Sequence, residues 1–155
     1  MRKLLEAIAL IALLFNLGFT AYALWGPNAL PARIPTHFDL TGQADGFGTP
    51  RMLLLLPLIA IFLYVFISLV SRRPAAFNYP ARITAQNRNR LYALAMQMIA
   101  AIKAETALLF AILQFSILHA FRSAHFTLPP IVVPAGVGII LLTTFGHIFA
   151  MRRSA

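Results

Sequence analysis

Four long apolar runs constrain this chain more than any other feature: Leu4–Trp25, Met52–Ser71, Leu91–Phe121 and Pro130–Met151. A helix crossing the hydrocarbon core needs about 20 mostly apolar residues. The first, second and fourth runs have about that length. In lipid every backbone N–H and C=O has to be bonded internally, and a helix achieves this within one segment. The runs therefore predict an all-α membrane protein with four transmembrane helices, as a single domain over residues 1–155. Pro57 and Pro134 fall near the starts of their helices, where proline does least harm. Composition agrees, with 60% hydrophobic and 11% charged residues. Soluble domains carry about 45–50% and 25%. The chain has no cysteine, which excludes disulfides, zinc–cysteine sites, iron–sulfur clusters and cysteine nucleophiles.

Charge is lopsided, with 13 Lys and Arg against 4 Asp and Glu. In a soluble chain that balance would suggest nucleic acid. Here the basic residues are split among loops with no aromatic-interleaved stripe, so no nucleic-acid partner is expected. Position is more informative. With a cytoplasmic N-terminus, nine basic residues fall inside: Arg2, Lys3, Arg72, Arg73, Arg82, Arg88, Arg90, Arg152 and Arg153. Arg33, Arg51 and Arg122 fall outside, and Lys103 lies within the third run. This positive-inside bias predicts an inner (cytoplasmic) membrane protein with both termini cytoplasmic. The outer loop is then 26–50 and the cytoplasmic loop 72–90. That basic inner loop is expected on anionic headgroups of the lipid bilayer, at about 1 kcal/mol per basic residue. An acidic cytoplasmic partner is the alternative.

Two runs need comment. The first has a basic start and an Ala21-Tyr22-Ala23 box, like a signal peptide. Its apolar stretch exceeds the usual signal length, and Trp25 suits an interfacial anchor, so it is expected to be retained. The third would reach about 46 Å as a helix, against a core of about 30 Å. It must tilt, or its first turns must extend beyond the core.

The outer loop is the most distinctive segment. Leu30 to Phe38 should be extended, because Pro31 and Pro35 push their predecessors toward β or polyproline geometry. Thr41-Gly42 and Asp45-Gly46 are turn signals. A connection this long is usually functional or disordered. Ile34, Phe38, Leu40 and Phe47 favour a folded cap on the helix ends.

The pattern Leu30-Pro31, Ile34-Pro35, His37-Phe38, Gly42, Asp45-Gly46-Phe47-Gly48 resembles the signature of a domain of unknown function shared with SdpI-type immunity proteins. The chain looks like their N-terminal domain alone, without the further helices of full-length members. The resemblance implies a bacterial membrane protein with an immunity or signalling role. The outer loop would meet a peptide toxin or small ligand through Pro35, His37, Phe38, Asp39, Gly42, Asp45, Gly46 and Phe47. The basic inner loop would contact a cytoplasmic regulator.

Chemistry-bearing residues are few. His37, Asp39 and Asp45 share the outer loop, with His119 and His125 near the same surface. Nitrogen and oxygen donors of this kind could hold a divalent metal or serve a membrane enzyme. The structural alternative is favoured: Asp39 caps the turn at Thr41-Gly42, Asp45 supports an Asp-Gly turn, and His37 bonds a loop carbonyl. No catalytic residue, metal or cofactor is assigned, and an enzyme is the less favoured class. Lys103 and Glu105, at i and i+2, point to different helix faces. Charges inside a run suggest a transport path by default. If the third span starts near Ile102 they instead lie at the inner boundary, where Glu6 can pair with Lys103. That reading is preferred over a small transporter or transporter accessory subunit. Asn16, Gln97, Gln114 and His147 read as interhelical hydrogen-bond partners. The small size leaves room for a homo-oligomer.

Overall fold

The computed structural model describes residues 1–27, 30–121 and 128–154. Four helices dominate: α1 (Arg2–Trp25), α2 (Leu55–Val70), α3 (Arg88–Ala120) and α4 (Val132–Arg152). A 3₁₀ turn, Pro50–Leu54, runs straight into α2. The four helical runs are each long and apolar enough to cross a membrane, as their hydropathy predicts. The chain is therefore read as a multi-pass membrane protein. Pro57 and Pro134 each occupy the third residue of their α-helix. At the start of α4 a missing N–H leaves no intrahelical bond unmade.

Helix α3 is the hub. It runs parallel to α1, with Lys103 against Glu6 and Gln114 against Thr20. It runs antiparallel to α4, with Glu105 against Thr143, while Leu91 and Ala95 pack on Met151. The α1–α3 seam is made of small residues. Ala9 and Ala12 meet Ala104, Ala107 and Ala111, with Ala60 of α2 closing the group. Small side chains let backbones approach, and close packing holds helices together in lipid, where burial alone drives little association. Helix α4 is different, since Met151 is its one buried residue.

The third run was expected to tilt or to project. At 33 residues, α3 is about 50 Å long, and its first turns carry their own cover. Leu91 and Ala95 are buried beneath Phe77, Tyr79 and Ile83 of the basic connection. Phe77, Tyr79 and Tyr92 stack in sequence at 6.3 and 5.6 Å. Reciprocal bonds between Thr84 and Asn87 fix the chain just before α3. The basic loop is thus a folded aromatic cap, and its five arginines remain exposed.

Among the described residues, the first long connection holds the one departure from an all-α fold. Strands β1 (Ile34–Phe38) and β2 (Ala44–Gly48) form an antiparallel hairpin. The extended stretch before Phe38 was predicted; its partner strand was not. Asp45-Gly46 reads as a turn but lies within β2, where an irregular register pairs Gly46 with His37. The actual turn is 39–42, closed by the Gly42 N–H on the Asp39 carbonyl, with Gly42 at φ 84°. Of the four apolar residues expected to pack, Ile34 is fully buried against Ala23, Leu53 and Leu118. Leu40, at the hairpin tip, is 99% exposed instead.

Candidate functional site

Among the described residues, polar side chains gather in three places. The first is the hairpin. Asp39 Oδ1 accepts bonds from the Thr41 N–H at 2.8 Å, the Thr41 hydroxyl at 2.7 Å and the Gln43 N–H at 2.9 Å. These donors, led by the Thr41 hydroxyl, hold the Asp39 carboxyl below its ordinary value of 3.8. The expected turn cap is therefore present. His37 Nδ1 meets Asp45 Oδ1 at 2.5 Å, so its partner is a carboxylate, where a loop carbonyl was expected. Asp45 supports this pair across the strands and no Asp-Gly turn. Both side chains are exposed.

Two glycines make this geometry possible. A Cβ on Gly46 would lie 2.8 Å from the His37 Cβ, so only glycine lets the imidazole cross the partner strand there. Gly42 has positive φ, and a Cβ on it would lie 2.0 Å from the Leu128 carbonyl oxygen. The Leu128 N–H also donates to the Gly42 carbonyl at 2.8 Å. The hairpin tip is thereby tied to the segment that leads into α4. Phe38 is half-buried, Pro35 is buried and Phe47 half-exposed.

As for a metal, the three candidate ligands do not converge. Asp39 is turned into its own turn while His37 and Asp45 bond each other. Among the described residues no group of three His, Asp or Glu side chains could hold an ion. His119 stacks on Phe115 at 6.1 Å, and His125 and Arg122 lie outside the described residues.

The second gathering lies between α1, α2 and α3. Lys103 Nζ donates to Glu6 Oε1 at 2.5 Å and to Ser68 Oγ at 3.1 Å. The Tyr64 hydroxyl donates to Glu6 Oε2 at 3.1 Å. Lys103 also sits 4.9 Å from the Tyr64 ring centroid. The expected Glu6–Lys103 pair is therefore formed. Tyr64 and Ser68 were not anticipated. The available signal was their i, i+4 spacing, which puts both on one face of an otherwise apolar run. Further along the same seam, Gln114 Nε2 donates to Thr20 Oγ1 at 2.8 Å. Gln114 thus fills its expected interhelical role, whereas the Asn16 side chain, equally buried, finds no partner.

The third is Glu105, on the opposite face of α3 from Lys103, as the i, i+2 spacing requires. Its Oε1 accepts from the Thr143 hydroxyl at 2.6 Å. Its Oε2 is buried without a partner. A groove of about 380 Å³ opens beside it, lined by Leu108, Ile112, Val132, Gly136 and other apolar residues of α3 and α4. His147, expected to bond another helix, bonds the Thr143 carbonyl of its own helix at 2.9 Å.

No curated protein and no solved structure matches this chain. One family does, over most of α1, the hairpin and the start of α2. Residues 7–61 match the family model described as a domain of unknown function (DUF1648).

Proposed function

We propose that this protein is a small sensor or immunity-type protein of the cytoplasmic membrane, with the hairpin outside and both termini inside. The hairpin is the receiving surface. The observation that carries this is the exposed His37–Asp45 pair, displayed on a cap that is anchored at Ile34 and tied at Gly42 to the approach to α4. A ligand pressing on the tip would act on α4 through that tie. Helix α4 contributes Met151 to the cluster beneath the basic cap, so its position bears on the surface offered to a cytoplasmic regulator. The nine exposed basic residues of that end support cytoplasmic placement. A peptide or small ligand with a hydrogen-bonding group suits the His37–Asp45 pair.

The test is genetic and direct. Cells lacking the gene are challenged with secreted peptide toxins, then complemented with wild type or with His37→Ala. Sensitivity rescued by wild type alone is the expected result. Full tolerance of the deletion strain removes the immunity role.

A small transporter is the second reading, and one observation favours it. Glu105 Oε2 lies unpartnered beside an apolar groove, and a carboxylate so placed suits proton or cation exchange. Lys103 adds little to it, being held by Glu6 and Ser68.

A further inference from the structure

Of the three arginines assigned to the outer side, Arg51 has a place that neither the topology nor the hairpin explains. It lines a pocket of about 510 Å³ with Leu24, Trp25, Ala32, Thr49 and Leu54. The pocket lies where α1 ends and the helical run Pro50–Val70 begins. No carboxylate among the described residues pairs with Arg51. The pocket wall has two characters. Leu24, Leu54 and the indole of Trp25, itself 74% exposed, offer apolar surface. Arg51 and Thr49 offer a cation and a hydroxyl.

We infer that this pocket seats the headgroup of an anionic phospholipid from the outer leaflet. The Arg51 guanidinium takes the phosphate, and the first carbons of an acyl chain lie along Leu24, Leu54 and Trp25. The inference rests on the helices spanning a bilayer, which puts both helix ends at the depth of the headgroups. Tryptophan favours that depth, with its ring toward the chains and its N–H toward water. Charge decides the class of lipid: the described lining carries one cation and no anion, so an anionic headgroup is matched and a zwitterionic one leaves its ammonium unanswered. A bound lipid would brace the base of the hairpin, because Thr49 and Ala32 flank its two strands.

Trp25 is the only tryptophan in the chain, so tryptophan fluorescence reports on the lipid beside this one residue of the pocket. The full chain is reconstituted in phosphatidylcholine bilayers containing either brominated phosphatidylglycerol or brominated phosphatidylcholine, and quenching of Trp25 is measured. The expected result is enrichment of the brominated phosphatidylglycerol beside Trp25 by about fivefold, the factor due to one basic side chain near an anionic lipid. Arg51→Gln, an exposed substitution, should bring the two lipids to parity. Arg72→Gln, at the far end of the bundle, should leave the preference intact. Parity in the wild type overturns the proposal, as does a preference that survives Arg51→Gln. Loss of the preference on adding millimolar inorganic phosphate also overturns it, by showing a site for phosphate rather than for lipid. Absence of quenching by either lipid would reject the membrane-spanning reading itself, an outcome distinct from parity.

Discussion

The two faces of α3 meet their neighbours in opposite ways. Toward α1 and α2 it presents Ala104, Ala107 and Ala111, and its one charge, Lys103, is 4% exposed at the side chain and bonded to Glu6 and Ser68. Toward α4 it presents Leu108, Leu109 and Ile112, and its one charge, Glu105, has an oxygen with no donor. Both faces are apolar and both carry one ionisable residue. The difference lies in side-chain size. Alanines let backbones approach until polar groups from three helices reach one another. On the α4 side, Leu108, Leu109 and Ile112 line a groove beside Glu105. Around Lys103 tight packing and polar satisfaction go together; further along the same seam Asn16 is buried without a partner, and beside Glu105 both are incomplete.

Five substitutions probe that contrast, read as unfolding free energy of the purified protein by circular dichroism during titration with a denaturing detergent. Lys103→Met should have the largest effect. Removing one partner of a buried pair costs about 3–5 kcal/mol, because the other charge is stranded. Glu6 is partly exposed, at 31%, so the lower end is expected. Glu6→Gln added to Lys103→Met should recover much of the loss. A double variant no better than the single would show that the pair is not what holds this face.

Ala107→Leu comes next. Overfilling a packed seam costs about 1–3 kcal/mol, and Ala107 is 3% exposed. The same change at Ala135, on the α4 side of the groove, should stay within about 0.5 kcal/mol. Equal costs at the two positions would erase the distinction between the faces. The smallest effect belongs to Thr143→Val, which removes the one donor to Glu105. Interhelical hydrogen bonds in membranes average about 0.6 kcal/mol, and a loss of that order is expected. A loss as large as that of Lys103→Met would mean that Glu105 is as tightly held as Lys103.

Much of this architecture was legible in the residues. Helix number and type followed from the apolar runs, since lipid permits few alternatives. The Glu6–Lys103 pair followed from charge scarcity, as four acids in a bilayer-sized chain leave few partners. The Asp39 turn followed from a side chain that reaches its own backbone. The hairpin partner strand did not. Asp45-Gly46 carries a local turn signal, but Gly46 is needed instead for the close approach of His37, a contact between residues far enough apart that local propensity is silent. Tyr64 and Ser68 were missed because single hydroxyls in an apolar run look like tolerated exceptions until a neighbouring helix supplies the charge they bind. Leu40 was expected inside on hydrophobicity, but a turn tip cannot reach the core.

By itself, then, the sequence determined the solvent this protein is built for, the number of its helices and the unequal distribution of basic residues between its loops. Those depend on local runs and on the cost of leaving backbone or charge unsatisfied in lipid. Only the tertiary structure decided which polar groups meet. That depends on how near two helices come, and the approach is set by the side chains of both at once. Alanine against alanine closed one face of α3 around Lys103. On the other face Glu105 is half satisfied beside an open groove lined by leucine and isoleucine.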